Sequence, residues 1–208
     1  MIDRRLDHLL YAVPDLTAAV AEFGDRTGVT PVAGGSHPGG TANYLVGLGP
    51  SAYLEIIGPD PAADPATRRR AAELELLDVP RLAGWAVHPD DIGAAVRQAR
   101  ARGYDPGDVE PMSRRTPDGR LLEWRLTRWD EPGRVDPVPF LIDWGATPHP
   151  AASGLPQVKL TAFRATVPEP PLLLARLRAL DVELDVEAGA PVALHAVLES
   201  PLGRVQLT

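Results

Sequence analysis

The sequence predicts an α+β fold: tandem βαβββ modules whose strands form a cupped, mixed or antiparallel sheet with the helices on its outside. Three observations carry that expectation. A strand-like run, a turn and an amphipathic helix open three separate stretches of the chain, and short β-type runs follow each opening. Within those runs one side-chain parity is almost wholly apolar, as on a sheet face covered by helices. The 19 Gly and 23 Pro among 208 residues supply many turns without reaching the level of low-complexity sequence.

The first stretch begins with His8–Val13, a β-type run closed by Pro14 and Asp15. Residues 15–27 follow with Leu16, Ala19, Val20 and Phe23 at helical spacing, and Gly28 is the stop. A glycine-rich loop over Gly34–Gly40 leads to a strand over 41–48, a turn at Gly49-Pro50 and a strand over 52–57. The second stretch has a strand over Ala83–Val87, a turn at His88-Pro89-Asp90 and a helix over 90–102 ending at Gly103. Strands are expected around 109–114, 121–128 and 138–144, with a turn over Pro117–Gly119. The third opens with Lys159–Val167 and continues through a helix over 170–180, carrying Leu173, Leu174, Leu177 and Leu180. Strands near 182–187, 192–199 and 203–208 complete it. The expected division is therefore modules at 1–58 and 81–145, linkers at 59–80 and 146–157, and a third unit at 158–208. Arg68-Arg69-Arg70 falls in the first linker, where a solvated face is favoured over a phosphate clamp.

Composition narrows the function classes. A net charge of −7 argues against nucleic-acid binding, which needs a basic surface. No apolar run approaches the roughly 18 residues of a membrane span, and the N-terminus has no apolar signal core, so a cytoplasmic protein is expected. The absence of Cys rules out disulfides, thiolate metal sites and a Cys nucleophile.

Strand parity then singles out candidate site residues. The covered parity would hold Leu9, Tyr11 and Val13, Leu54 and Ile56, Trp85 and Val87, Trp124 and Leu126, and Phe140, Ile142 and Trp144. The three tryptophans read as core packing. The opposite parity carries His8, Asn43, Glu55, Glu123, Arg125 and Asp143 among Leu6, Leu10, Tyr53, Ile57, Leu82 and Leu141. On a curled sheet that face becomes an apolar cavity with a few polar groups, the usual make-up of a small-molecule site. A flat antiparallel sheet with one wet side gives the same alternation.

Leu6-Asp-His-Leu-Leu-Tyr-Ala-Val-Pro-Asp-Leu16, together with Tyr53-Leu-Glu-Ile-Ile57, resembles the vicinal oxygen chelate superfamily of glyoxalases, epimerases, extradiol dioxygenases and resistance proteins. Gly34–Asn43, Met112–Gly119, Phe140–Gly145 and His149-Pro150 resemble the bacterial glyoxalase-like domain proteins within it. The resemblance covers about residues 5–152. It implies two modules forming an open cup around a divalent metal, held by a His from the first strand and a Glu from the last strand of each. His8 and Glu55 match the first pair. In the second module the His position falls on Leu82, which cannot ligate. The acid matches Asp143 by face parity, or Ile142 if the following glycine is aligned with Gly58, and parity favours Asp143.

The implied centre is thus His8, Glu55 and Asp143, whose N and O donors would accept Zn, Mn, Ni or Fe and leave an open position. The missing second His disfavours extradiol dioxygenation and glyoxalase I chemistry. What the resemblance implies is a metal-dependent isomerase or lyase acting on a small oxygenated, possibly anionic molecule, with Glu55 or His149 moving the proton. The alternative is a metal-free binding or sequestration protein.

Further residues are weighed singly. His149 could fold back over the cavity as a fourth ligand or acid–base group, or cap a turn between its two prolines. His37 could contact substrate from its loop. Arg114, Arg115 and Arg125 could grip an anion, against an exposed Arg125–Glu123 pair. His88 reads as a turn residue and His195 as surface. A half-cup leaves a sheet edge, so a homodimer is expected, and the third unit could serve as a dimerisation or lid element.

Overall fold

A computed structural model describes residues 2–127 and 134–208, apart from the side chain of Thr67. The chain opens with strand β1 (Leu6–Ala12) and helix α1 (Leu16–Thr27). Asp15 caps that helix by accepting from the Ala18 N–H at 3.0 Å, satisfying one of the free N–H groups of the first turn. Gly28 ends it at φ 70°, donating back to Gly24 O. Strands β2 (Val32–His37), β3 (Thr41–Gly47) and β4 (Tyr53–Pro59) follow. After a 3-10 turn at Pro65–Thr67 comes helix α2 (Arg69–Glu75). The pattern then repeats as β5 (Arg81–Val87), α3 (Ile92–Ala101, capped by Asp91), β6 (Val109–Arg115), β7 (Leu121–Thr127) and β8 (Phe140–Asp143). Residue 128, the expected end of β7, lies outside the described residues. The last part is β9 (Lys159–Val167), α4 (Pro170–Ala179), β10 (Asp185–Ala188), β11 (Ala193–Ser200) and β12 (Gly203–Leu207).

The first eight strands form one curled mixed sheet in the order β1-β4-β3-β2-β6-β7-β8-β5, with helices outside. Within each half the outer strands run parallel, β1 with β4 and β5 with β8. The halves join twice. The β1–β5 seam is an extended antiparallel ladder, whereas β2 and β6 meet through one registered pair, Ser36 and Arg115. The sheet is therefore a closed barrel rather than an open cup. That closure removes the unpaired edge from which the homodimer was argued.

Two local expectations change. The glycine-rich segment expected as a loop is strand β2 as far as His37. Gly34 is needed there because a Cβ would stand 2.2 Å from Asn43 Oδ1. The stretch between the halves contains α2, anchored by the fully buried Leu74. Its backbone is tied to the β2–β3 turn, with Arg70 N and Ala71 N both donating to Gly39 O. The arginine run is consequently not one solvated face: Arg69 is exposed, Arg68 pairs with Glu75, and Arg70 reaches the barrel interior.

Helices α1 and α3 cover the barrel's outer face over Leu9, Leu54, Ile56 and Leu141. The C-terminal sheet, ordered β10-β9-β11-β12, joins the same outer core through Phe163, Leu194 and Leu198. Phe163 meets Trp85 edge-on at 5.2 Å, and Leu82 N donates to Thr208 O. Among the described residues, the barrel cavity draws no lining residue from this sheet.

Candidate functional site

Side-chain alternation fixes which residues share a face, and barrel closure decides which face points inward. In the first half the inward face is the expected one, carrying His8, Leu10, Asn43, Tyr53, Glu55 and Ile57. In the second half it is the reverse: Trp124, Leu126, Phe140, Ile142 and Trp144 point in. Large apolar residues fill the interior there, while Glu123, Arg125 and Asp143 turn to the outer surface. Together the two faces enclose a cavity of about 80 Å³.

The polar half of that cavity is organised by Asp7, whose carboxylate is fully shielded from solvent. Asp7 sits at a bulge in the β1–β5 ladder, where the register shifts between Leu6 and His8. Such an extra residue re-aims its neighbours. Its Oδ1 accepts from His8 Nδ1 at 2.6 Å, and its Oδ2 accepts from Trp144 Nε1 and His149 Nε2, both at 3.0 Å. Burial by itself would raise the Asp7 carboxyl, but the hydrogen bonds from His149 and His8 outweigh it and hold the group well below the usual carboxylate range. With Nδ1 of His8 committed to Asp7, its Nε2 faces the cavity, 3.6 Å from Glu55 Oε2.

Glu55 is the buried carboxylate of the cavity, and Glu110, on the exposed side of β6, also lines it. Glu55 Oε1 accepts from Asn43 Nδ2 at 2.6 Å, and His37 Nε2 lies 3.8 Å from the same oxygen. Burial pushes the His37 imidazole down to about 4, and the nearby Arg114 and Arg70 cations add to that push against the opposing charge of Glu55. His37 is therefore neutral at neutral pH. Tyr53 stacks on His8 with ring centroids 4.8 Å apart, and burial, with the Asp7 and Glu55 charges, pushes its phenol well up. Arg114, only 5% exposed, enters from β6, and its Nη1 has no hydrogen-bond partner in the protein.

Five of the residues anticipated from sequence thus come together: His8, Glu55, His37, Asn43 and Arg114. Four do not. Asp143 points outward, where it accepts from Gly145 N and pairs with Arg125 across the β7–β8 ladder. Arg125 is itself on that surface, 59% exposed. Arg115 lies on the outside of the seam and donates to Gly119 O. His149 does fold back, but onto Asp7 from outside the cavity: its Nδ1 accepts from Ala151 N and its Nε2 donates to Asp7. Both ring nitrogens are used in these bonds, and the ring contacts Asp7 rather than lining the cavity. Trp124 and Trp144, read as core packing, do belong to the buried cluster inside the barrel, and there they also form cavity wall.

Asp7 and Arg70 were missed. Arg70 had a readable signal, because it stands four residues before Leu74 and so shares the buried face of a helix that the spacing of Ala71 and Leu74 allows. Asp7 had none beyond its adjacency to His8, since alternation assigns neighbours to opposite faces and a bulge leaves no mark in the sequence.

The donor set does not fit the implied metal centre. Ile142, not Asp143, occupies the inward position on β8, and its neighbours there are aromatic or aliphatic. His8 and His37 approach different oxygens of Glu55, and Asn43 already donates to one of them. Among the described residues no group of three or more His, Cys, Asp or Glu is arranged to hold an ion. No helix among them is long and apolar enough to cross a membrane.

Comparison with known proteins agrees with this architecture. A family described as "Glyoxalase-like domain" matches residues 6–180. No curated protein matches the chain. Among solved structures, a hypothetical protein from Staphylococcus aureus superposes with a TM-score of 0.65 at 16% identity, covering 90% of this chain and 87% of that one. A mutant 4-hydroxymandelate synthase from Streptomyces coelicolor gives a TM-score of 0.48 at 14% identity, covering 100% of this chain and 63% of that one. Methylmalonyl-CoA epimerase from Mycobacterium tuberculosis gives 0.37 at 21% identity, covering 68% and 87%.

Proposed function

The chain belongs to the glyoxalase-like domain family, and we propose that it is an isomerase or lyase that moves a proton on a small oxygenated molecule bound inside the barrel. One observation carries the reading. Glu55 is buried in the cavity beside the Nε2 of a histidine whose other nitrogen is held by a buried, ionised carboxylate, Asp7. A base oriented by a third group is the arrangement that general acid–base catalysis requires.

The chemistry follows from those positions. The Glu55 carboxylate takes the proton from a carbon next to a carbonyl. The C–H electron pair becomes the new C=C bond, and the carbonyl π pair moves onto oxygen. That developing charge is countered by the guanidiniums of Arg114 and Arg70, acting across a low-dielectric site. Glu55 then returns the proton to the same carbon as the oxygen pair re-forms the carbonyl. Where that carbon carries a hydroxyl, the proton goes instead to the former carbonyl carbon, while His8 carries the hydroxyl proton to the first oxygen and the second oxygen becomes the carbonyl. In a lyase the carbonyl re-forms, the C=C pair shifts to the next bond, and the group on the β carbon leaves with its electron pair and takes a proton from His8. His8 Nε2 is the second proton station, oriented by the bond from its Nδ1 to Asp7. No step passes through a metal.

The test is proton exchange in D2O, followed by NMR, across a panel of small oxo and hydroxy-carbonyl compounds. Protein-dependent deuterium uptake beside the carbonyl, lost in Glu55→Gln, is expected. If no compound exchanges, the reading fails, and a metal-free binding or sequestration protein takes its place. The aromatic second half of the cavity, with Trp124, Phe140 and Trp144 in its wall, favours that second reading.

A further inference from the structure

We infer that the ligand of the barrel carries a carboxylate beside its reacting oxygen, a small 2-oxocarboxylate with an apolar tail, and that Arg114 is the residue that binds it. The placement of the reacting oxygen rests on the proton-transfer reading above; the carboxylate site stands on its own observations.

Arg114 is 5% exposed, lines the cavity, and leaves Nη1 without a protein partner. Among the described residues it makes no ion pair. A guanidinium taken out of water without a counter-charge is costly, so such a group is retained where an anion meets it. Arg70 adds a second cation from α2, which the chain fastens over the β2–β3 turn. His37, between these cations and Glu55, stays neutral and so adds no competing charge.

Three features select the anion. A guanidinium fork matches a planar carboxylate with two parallel hydrogen bonds. Glu55 is in the same small cavity, and its negative charge works against a dianion such as a phosphate monoester. A 2-oxocarboxylate also sets its carboxylate and its carbonyl oxygen side by side, so one guanidinium serves binding and the charge that develops in the reaction. The remainder of the molecule then lies against Trp124, Phe140, Ile142 and Trp144, which in a cavity of about 80 Å³ calls for a short apolar tail.

Two of those wall residues are tryptophans, so binding reports itself as a change in their fluorescence. The full chain is titrated with 2-oxobutanoate, with its amide, and with inorganic phosphate. The carboxylate is expected to bind, and the amide and phosphate to bind far more weakly. Arg114→Gln should weaken the carboxylate roughly ten- to a hundredfold and leave the amide unchanged. Arg114→Lys keeps the charge without the fork and should fall between, and thermal melts confirm that each variant is folded. Glu55→Gln separates the two claims, because it should keep carboxylate binding while losing proton exchange. Equal affinity for acid and amide, preference for phosphate, or an Arg114→Gln protein that binds like wild type would each overturn the carboxylate assignment. Failure of exchange alone overturns only the catalytic reading.

Discussion

Asp7 and His8 are neighbours in sequence and partners in space: Asp7 Oδ1 accepts from His8 Nδ1 at 2.6 Å although both belong to one strand. The bulge at Asp7 makes this possible. It gives the cavity histidine a fixed orientation without recruiting a carboxylate from elsewhere in the fold.

Asp7→Asn should therefore act on both stability and activity. An amide cannot accept from His8, Trp144 and His149 as the carboxylate does, and it can donate to His8 Nδ1 and so move the imidazole proton to Nε2. Stability should fall by about 3–5 kcal/mol, as when a buried charge network loses a member. Exchange activity should fall at least about a hundredfold. Urea denaturation and the D2O exchange rate measure the two separately.

With Asp143 outside the barrel, the purified protein should hold well under one equivalent of Zn, Mn, Ni or Fe. A chelator should leave ligand affinity and exchange unchanged. Elemental analysis decides it: a stoichiometric metal, lost in both His8→Ala and Glu55→Ala, would refute this.

Folding keeps His37 neutral, its folded pKa lowered to about 4 from 6.5. Between those values the unfolded chain binds more protons, so this group's contribution to stability is present above pH 6.5 and is lost as pH falls towards 4. His37→Gln should flatten the stability profile across that window, read from denaturation midpoints at stepped pH.

Arg114→Met should stabilise the fold while abolishing carboxylate binding, because it removes a buried guanidinium whose Nη1 has no hydrogen-bond partner in the protein. A gain of about 1 kcal/mol corresponds to a Tm rise of about 2–4 °C for a domain of this size. Calorimetry on the apo protein would show it, and a drop in Tm would contradict the account of Arg114 given above.

Gly35 closes the weaker seam of the barrel. Its φ is +139°, and a Cβ there would stand 1.9 Å from the Arg115 carbonyl oxygen. Gly35→Ala should cost at least about 2 kcal/mol and speed amide exchange along β2 and β6. Gly119→Ala, also at positive φ but with open space around it, should cost only about 1 kcal/mol.

Much of this was legible in the sequence, for identifiable reasons. The limits of α1 were marked by Asp15 and Gly28, which act through local hydrogen bonds, whereas α3 starts two residues later than the spacing suggested because Asp91 caps it. The inward set of the first half followed from the alternation of His8, Leu10, Tyr53 and Glu55. The second half failed because alternation has two solutions, and the choice between them is made by packing. Trp124, Phe140 and Trp144 fill an interior that exists only once the barrel has closed, and Arg125 and Asp143 find each other on its surface. Strand β2 was hidden by its glycines, which serve close approach to Asn43 and Arg115 rather than a loop.

The inward turn of those aromatic residues divides the labour of the barrel between its halves. The polar end, with His8, Glu55 and Asn43, belongs to the strands of residues 1–59, while the aromatic and aliphatic wall comes from β7, β8 and Trp144 just beyond it. Changes at Leu126 or Ile142 should alter which tail fits and leave those groups alone, whereas Phe140 packs edge-on against the His8 ring at 5.5 Å and Trp124 against His37 at 6.4 Å. Selectivity is thus tuned most freely at the aliphatic positions of the wall, and the aromatic ones are bound to the chemistry they border.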